Sequence, residues 1–256
     1  MDNLVATSPR EGFGLGLLQA ARANKRVVGI CADLRESVRM EHLAKALPHQ
    51  YVEVGVAEQN MLGIAAGMAL SGMIPVAASF AVFNPGRNWD QLRVSICYAN
   101  ANVKIIGAHA GLSVGKDGAT HQSLEDLAIT RSLPNLVVLA PTDSVETEQA
   151  LLAAIAHEGP VYIRFGRESV ATITNPKQKF VIGKAYVLRE GDQVSLAAHG
   201  AMVYPCLQAA EILQREHISA EVIAVPTIKP LDSATLLASA AKTGRVVTAE
   251  DHQISG

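Results

Sequence analysis

A chain of 256 residues can form one large or two modest domains, and its 49% share of hydrophobic residues is typical of α/β proteins with buried parallel strands. The formal net charge of −2 and the lack of a basic stripe argue against nucleic-acid binding. We expect no membrane span, because no apolar run reaches about 18 residues, and residues 1–14 lack the pattern of a signal peptide. Cys31, Cys97 and Cys206 stand alone, which is typical of reduced, buried thiols in a cytoplasmic protein.

Strand and helix patterns alternate along residues 1–172, which predicts an α/β domain with a doubly wound, mostly parallel sheet. The predicted strands span residues 26–31, 51–54, 74–79, 103–109, 136–140 and 161–165. The predicted helices span residues 11–24, 58–70, 87–98, 123–132 and 144–157, the last capped by Ser144. Glycine and alanine are frequent in the second of these helices, including Gly63 and Gly67, and close packing is the expected reason.

A smaller α/β domain is predicted for residues 181–256, after a linker at residues 173–180. Its predicted strands span residues 184–189, 193–198, 220–225 and 246–249, and its predicted helices span residues 201–216 and 233–242. Because a strand followed by glycine normally leads into a helix, we expect this domain to be incomplete at Gly256.

A short loop carries several side chains that suit acid–base chemistry. It spans residues 115–122 (GKDGATHQ) and follows a predicted strand that ends at His109. In open α/β sheets, ligands bind at the carboxyl ends of the strands. His109, Asp117 and His121 could supply hydrogen bonds and proton transfer near neutral pH. An ordinary polar surface loop is the alternative.

Three segments resemble the pyrimidine-binding domain of the transketolase family, whose enzymes depend on thiamine diphosphate. They are residues 55–61 (GVAEQNM), residues 78–83 (ASFAVF) and residues 109–122. The resemblance covers the whole chain and is strongest to the C-terminal subunit of transketolases that are split over two polypeptides. Deoxyxylulose-phosphate synthases and the β subunits of 2-oxo-acid dehydrogenases are the alternatives within the superfamily, and the ATHQ sequence favours transketolase.

The resemblance implies roles for three residues toward the cofactor. Glu58 matches the glutamate that hydrogen-bonds N1′ of the aminopyrimidine and so promotes removal of the thiazolium C2 proton. The alternative for Glu58 is a first-turn glutamate that complements the helix dipole. Phe83 matches the residue that stacks on the pyrimidine ring, and Phe80 completes the pocket. The family often has a tyrosine where this chain has Gly86, which predicts a more open pocket wall.

The resemblance also implies contacts with a sugar phosphate. His109 and His121 match residues at the carbonyl and adjacent hydroxyl of the donor ketose, and Asp117 matches one that holds a neighbouring hydroxyl. Arg10 and Arg167 match residues that bind the phosphate, for which guanidinium groups are well suited. Lys116 and Ala119 replace residues that are common in the family, which leaves the identity of the sugar open. Arg35 and Arg39 receive no assignment. They lie in a loop that matches one bordering the substrate channel of the family, so recognition of an anionic substrate is the alternative, and solvated loop charges are the favoured interpretation.

The chain lacks the GDG-type motif that binds the cofactor diphosphate through Mg²⁺ in this family. The resemblance therefore implies that a separate N-terminal subunit holds the diphosphate and Mg²⁺, that this chain holds no metal, and that the two subunits form an α2β2 heterotetramer. The expected activity is transfer of a two-carbon ketol unit from a ketose phosphate to an aldose. The alternatives are a non-catalytic scaffold subunit and, less favoured because GxGxxG is missing, a nucleotide-binding domain.

Overall fold

A computed structural model describes residues 4–256 of the chain. Its strands, numbered in chain order, are β1 (Ala6–Thr7), β2 (Val27–Cys31), β3 (Tyr51–Glu53), β4 (Ile74–Phe80), β5 (Lys104–Ala108), β6 (Val137–Leu139), β7 (Val161–Arg164), β8 (Val170–Ala171), β9 (Tyr186–Arg189), β10 (Val194–Ala198), β11 (Ala220–Ala224), β12 (Thr227–Lys229) and β13 (Val246–Ala249). Its α-helices are α1 (Pro9–Ala23), α2 (Glu41–Ala46), α3 (Glu58–Leu70), α4 (Trp89–Gln91), α5 (Asp126–Arg131), α6 (Ser144–Ala156), α7 (Val203–Arg215) and α8 (Ser233–Thr243).

The main sheet has seven strands in the order β12-β6-β7-β5-β4-β2-β3. Six of them are parallel, and β12 alone runs antiparallel, against β6. All residues of β2, β4 and β5 are buried, as expected for parallel strands with helices on both faces. The predicted α/β fold with a doubly wound, mostly parallel sheet is confirmed.

Two apolar layers cover the two faces of this sheet. The first contains side chains of α1, α2 and α6, namely Phe13, Leu17, Leu43 and Leu151. The second contains side chains of α3, of the segment after α4 and of α5, namely Met61, Leu62, Leu92, Ile96 and Leu127. The carboxyl ends of β4 and β5, which are central in the sheet, are thereby fixed between two packed layers.

The smaller domain has a four-stranded sheet in the order β13-β10-β11-β9. Strands β10, β11 and β13 are parallel, and β9 pairs antiparallel with β11. Although β12 follows β11 in the chain, it pairs with β6 of the main sheet. The two domains are therefore joined by strand pairing as well as by the connecting chain.

The segment that was predicted as a linker is docked against the main domain. Phe180 is buried in the first apolar layer. The Asp143 carboxylate accepts hydrogen bonds from the backbone N–H groups of Ile173 and Thr174 at 2.8 and 2.9 Å. Residues 173–180 contain no helix or strand, but they are held at both ends, by the hydrogen bonds to Asp143 and by buried Phe180.

The cap of α6 differs from the sequence prediction. Asp143, and not Ser144, is the N-cap residue, and its side chain accepts a hydrogen bond from the Glu146 backbone N–H at 3.0 Å. The Glu146 carboxylate in turn accepts from the Thr142 N–H at 2.7 Å. This reciprocal pattern is close to a capping box, so the Ser144 prediction was one residue too late.

The predicted helix at residues 87–98 is less regular than expected. Its first turn is α4, and it continues as a π-helical segment, Leu92–Tyr98. The short elements β1, α2, β8 and β12 were not predicted. Within residues 4–256, no helix combines the length and the apolar character needed to cross a bilayer.

Candidate active site

The predicted site residues converge at the carboxyl edge of the central strands. Phe80 is the last residue of β4, and His109 immediately follows β5. The imidazole of His109 lies 3.8 Å from the Phe80 ring, measured between ring centroids. Sheet geometry alone explains this meeting, because β4 and β5 are paired neighbours with Phe80 opposite Ala108.

His109 is buried and has a backbone φ of +56°. Such a positive φ is uncommon outside glycine and is concentrated at functional sites. Burial lowers the pKa of His109 to about 3, and the nearby charges of Arg10 and Arg167 add to this effect. The imidazole is therefore neutral near pH 7, and its Nδ1 has no hydrogen-bond partner in the described part of the chain.

His121 closes an aromatic cluster with Phe80 and Phe83. The two phenylalanine rings are nearly parallel, with centroids 6.3 Å apart. The His121 ring meets Phe83 edge-on at 5.3 Å and Phe80 at 6.1 Å. The loop at residues 115–122 thus brings its histidine to the strand ends, as the sequence predicted, and Thr120 Oγ1 is hydrogen-bonded to His121 Nδ1 at 2.9 Å.

Glu58 is the first residue of α3 and is only 2% exposed. Its carboxylate Oε2 accepts a hydrogen bond from Arg87 Nη1 at 2.7 Å. The same guanidinium carbon lies 4.6 Å from the centroid of the Phe83 ring. Arg87 thus contacts two of the three residues, Glu58 and Phe83, to which the resemblance assigned a role toward the cofactor.

Arg87 was not predicted as a site residue, although its spacing of four residues from Phe83 is a sequence signal. The chain turns helically after β4, and the Arg87 N–H donates to the Phe83 carbonyl oxygen at 2.9 Å. An arginine four residues after a phenylalanine in a helical turn lies over the aromatic ring. The turn is tied to the start of α3 by Asn88 Nδ2, which donates to the Glu58 carbonyl oxygen at 3.1 Å.

The expected pocket wall at Gly86 is part of a tight turn. A Cβ atom at this position would lie 2.0 Å from the Val82 carbonyl oxygen, so this turn admits no side chain there. The Arg87 side chain covers the neighbouring Phe83 ring instead. Arg87 therefore covers the side of the pocket beside Gly86 in this structure, and the more open wall stays a prediction.

Arg10 and Arg167 lie beside His109, together with Arg39. The charges of Arg39 and Arg167, after burial, lower the pKa of Arg10, and all three arginines contribute to the lowered pKa of His109. Arg39 is only partly exposed and is hydrogen-bonded to Glu11 at 2.5 Å. It belongs to a cationic cluster (Arg10, Arg39 and Arg167), which corrects its interpretation as a solvated loop charge.

Two other charges lie outside this cluster. Arg35 is 46% exposed at its side chain and pairs with the adjacent Glu36 at 2.8 Å. Asp117 is exposed on the loop, and within residues 4–256 its carboxylate accepts no hydrogen bond. Its predicted contact with a sugar hydroxyl stays a prediction, as does that of Arg10 and Arg167 with a phosphate.

Metal-binding and thiol chemistry receive no support from the described residues. Within residues 4–256, no group of three or more His, Cys, Asp or Glu side chains is arranged to hold a metal ion. The three cysteines are free and buried. Burial raises the pKa of Cys31 and of Cys97 to about 12, so both thiols are protonated at neutral pH.

Comparison with known proteins extends over both domains. The family model of the transketolase pyrimidine-binding domain matches residues 6–172. The model of the transketolase C-terminal domain matches residues 183–256.

Individual relatives match nearly the whole chain. The chain is 42% identical over 240 residues to a 6-deoxy-6-sulfo-D-fructose transketolase subunit of a Clostridium species, covering 94% of this chain and 74% of the relative. It is 41% identical over 248 residues to the 1-deoxy-D-xylulose-5-phosphate synthase of a Cyanothece species, covering 95% of this chain and 39% of the relative. A split-gene transketolase described as an inactive β4 tetramer superposes with a TM-score of 0.89 at 42% identity, covering 96% of this chain and 79% of that one. The chain therefore belongs to the transketolase family and corresponds to its pyrimidine-binding and C-terminal domains.

Proposed function

We propose that the chain is the C-terminal subunit of a transketolase that uses thiamine diphosphate to transfer a two-carbon ketol unit from a ketose phosphate to an aldose. The observation that carries this proposal is the convergence of a buried carboxylate, an aromatic pair and two histidines at one sheet edge. Glu58, Phe83, His109 and His121 meet there although they lie on three separate segments of the chain.

The residues present fit the pyrimidine end of the cofactor. Arg87 offers a planar face to Phe83 and an N–H donor to Glu58. A protonated aminopyrimidine offers the same two interactions, a planar face and a ring N–H. Thiamine diphosphate would therefore displace Arg87, whose side chain is 48% exposed and free to turn toward solvent.

The cofactor, when bound, supplies the carbon nucleophile that attacks the carbonyl group of the donor ketose. Glu58 Oε2 would share a proton with the pyrimidine N1′ atom. Neutral His109 would donate a hydrogen bond to the donor carbonyl oxygen, which gains negative charge during the reaction. His121 would exchange a proton with the adjacent hydroxyl group, whose proton must leave when the carbon–carbon bond breaks.

The remaining contacts are directed at the rest of the donor. Asp117 would accept a hydrogen bond from a further hydroxyl. Arg10 and Arg167, with Arg39 beside them, would bind the terminal anion, since guanidinium groups form paired hydrogen bonds with phosphate. The relative that acts on a sulfonated fructose indicates that the anion differs between members of the family.

We further propose that a separate N-terminal subunit holds the diphosphate and Mg²⁺ in an α2β2 heterotetramer. The missing GDG-type motif supports this division. So does the split-gene relative, whose tetramer of β chains is described as inactive. The exposed position of the Arg87 side chain is what a site completed by another chain requires.

The test is reconstitution. This chain is mixed with its N-terminal partner, thiamine diphosphate and Mg²⁺, and xylulose 5-phosphate is supplied with ribose 5-phosphate. We expect glyceraldehyde 3-phosphate release only when both chains and the cofactor are present. A complex that binds no thiamine diphosphate by calorimetry would instead identify a scaffold subunit.

A deoxyxylulose-phosphate synthase activity is the second candidate, because a synthase from a Cyanothece species is 41% identical over 248 residues. Pyruvate with glyceraldehyde 3-phosphate, supplied to the same complex, separates the two reactions. Carbon dioxide release in this second assay, without ketol transfer in the first, would replace the transketolase proposal.

A further inference from the structure

The segment after β13 returns to the main domain and contacts the loop that carries the sugar-facing residues. The carboxylate of Asp251 accepts a hydrogen bond from the backbone N–H of Leu112, at 3.1 Å to Oδ1 and 3.2 Å to Oδ2. Leu112 lies only three residues after His109 in the sequence. A residue of the smaller domain is thus bonded directly to the base of the loop.

The fit between Asp251 and this loop is close. Gly111 has a φ of +84°, and a Cβ atom at this position would lie 1.7 Å from Asp251 Oδ2. Glycine is required here both by the backbone conformation and by the approach of the carboxylate. The backbone of the loop and the Asp251 carboxylate are therefore complementary in shape.

The backbone around Asp251 is itself fixed to the main domain. Its carbonyl oxygen accepts from Arg164 Nη2 at 2.8 Å, and Arg164 Nε donates to buried Asp126 at 3.0 Å. His252 Nε2 accepts from the Leu127 N–H at 3.1 Å. Because these partners are buried or partly buried, the Asp251 carboxylate is held in one place.

The loop has other attachments at its base, among them the Ala110 N–H, which donates to the Phe165 carbonyl oxygen at 3.1 Å. Gly111 and Ser123 form an isolated antiparallel bridge, and Gln122 Nε2 donates to the Leu112 carbonyl oxygen at 2.9 Å. Leu112 is therefore hydrogen-bonded on both sides, to Gln122 and to Asp251. Between these attachments, residues 115–120 are mostly exposed.

We infer that Asp251 is a positioning residue for donor-sugar binding: it fixes Leu112 and thereby the loop that carries Asp117 and His121. This inference rests on the proposed function of that loop. It assigns to the smaller domain a role in substrate binding, exerted through a single carboxylate–backbone hydrogen bond. Asp251 itself touches neither substrate nor cofactor.

Hydrogen–deuterium exchange on the chain alone tests the structural half of the inference. In Asp251→Ala, we expect the amides of residues 110–122 to exchange about tenfold faster than in the wild type, because the acceptor of the Leu112 N–H is lost. Asp251→Asn keeps an Oδ1 acceptor and should exchange like the wild type. Asp192→Ala, which removes an exposed carboxylate from the same domain, is the matched control and should change nothing at the loop.

The reconstituted complex tests the functional half. We expect Asp251→Ala to raise the KM for the donor ketose about tenfold while kcat stays within about threefold, because loop contacts bind the donor before and during the reaction. A merely destabilising substitution would lower the active fraction, and so kcat, without moving KM. Asp251→Asn should restore the wild-type KM.

The outcomes separate this inference from the proposed function. Unchanged exchange at residues 110–122 in Asp251→Ala overturns the inference, as does an unchanged KM in an active complex. Exchange in Asp251→Asn as fast as in Asp251→Ala also overturns it, because the effect would then follow charge and not the acceptor. Faster exchange in the isolated Asp251→Ala chain, together with a wild-type complex that transfers no ketol unit, leaves Asp251 fixing the loop and refutes the transketolase proposal instead. If Asp251→Ala does not fold, Asp251→Ser replaces it under the same expectations.

Discussion

The Glu58–Arg87 pair joins a carboxylate that is 2% exposed to a guanidinium side chain that is 48% exposed. A buried carboxylate without a partner is costly, and Arg87 is the hydrogen-bonding partner of Glu58 in this chain. Stacking of the Arg87 guanidinium on the Phe83 ring also stabilises this conformation of Arg87. A ligand that binds at Glu58 and Phe83 must first release this arginine.

Replacing Arg87 by methionine should therefore tighten cofactor binding. Without the competing guanidinium, we expect the dissociation constant of thiamine diphosphate in the reconstituted complex to fall about tenfold, since the binding-competent conformation is then always populated. Calorimetry measures this constant, and the fluorescence of Trp89, the single tryptophan of the chain, reports on the same turn.

Arg93→Met is the matched control, because Arg93 lies over the Trp89 ring at 5.9 Å and contacts neither Glu58 nor Phe83. Its cofactor affinity should equal that of the wild type. Weaker binding in Arg87→Met would show that Arg87 is itself a ligand of the cofactor and would refute the displacement.

His109 gives the chain a specific dependence of stability on pH. Burial lowers its pKa to about 3, whereas an unfolded histidine has a pKa of about 6.5. Between these values the unfolded chain binds a proton that the folded chain does not bind, so this residue makes stability fall as the pH drops below about 6.5.

His109→Gln removes that proton-binding difference. Between pH 7 and pH 5, we expect the free energy of unfolding of the wild type to fall by about 2 kcal/mol more than that of the variant. Urea unfolding at the two pH values measures the difference. An equal loss in both proteins would mean that His109 is protonated in the folded state at pH 5.

Among the helices, the glycines of α3 and α1 differ in how closely other atoms of the chain approach them. A Cβ atom at Gly63 or Gly67 would meet nothing within 4 Å, whereas one at Gly12 would lie 1.8 Å from the Ser144 carbonyl oxygen. Close packing within the chain therefore explains Gly12 but does not explain Gly63 and Gly67, which corrects the interpretation made from the sequence.

Substitution by alanine should separate these two cases. Gly63→Ala should raise the free energy of unfolding of the isolated chain by about 0.5–1 kcal/mol, because alanine is the better helix former. Gly12→Ala should lower it by about 1–3 kcal/mol through overpacking between α1 and α6. Thermal unfolding monitored by circular dichroism measures both changes. A destabilised Gly63→Ala would show that another contact covers this face of α3.

The long buried elements could be predicted from the sequence because one strong pattern determines each of them. The bounds of α3 match the prediction, and β4 extends one residue further, to Phe80. Short elements such as β12 carry no such pattern, because their pairing depends on a partner strand distant in the chain, here β6. The π-helical segment Leu92–Tyr98 has the same apolar spacing as an α-helix and cannot be separated from it by pattern.

The residues of the candidate site were likewise predictable from the sequence only in part. Glu58, Phe80, Phe83, His109 and His121 could be predicted as site residues because the resemblance supplies their roles. Arg87 and Asp251 were missed because their importance arises from contacts with residues far away in the sequence, at Glu58 and Leu112 respectively. Such contacts depend on tertiary structure and leave no local signal apart from the spacing of Phe83 and Arg87.

At the scale of the whole molecule, two connections bind the domains together near the site. Strand β12 extends the main sheet, and the segment around Asp251 contacts the loop after β5. The smaller domain is therefore attached to the main domain both at β6 and at the loop after β5. The site itself stays open on the side of Arg87 and Asp117, where the proposed N-terminal subunit would hold the rest of the cofactor.

Glu58 of this chain is proposed to activate a cofactor that a second subunit helps to hold. Ketol transfer from xylulose 5-phosphate can be measured with complexes reconstituted from the wild-type chain, from Glu58→Gln and from the control Glu211→Gln on α7. We expect a loss of at least about 100-fold in kcat for Glu58→Gln, as for removal of a proton-transferring group, and turnover within about twofold of wild type for Glu211→Gln. Wild-type turnover in Glu58→Gln would mean that Glu58 does not activate the cofactor.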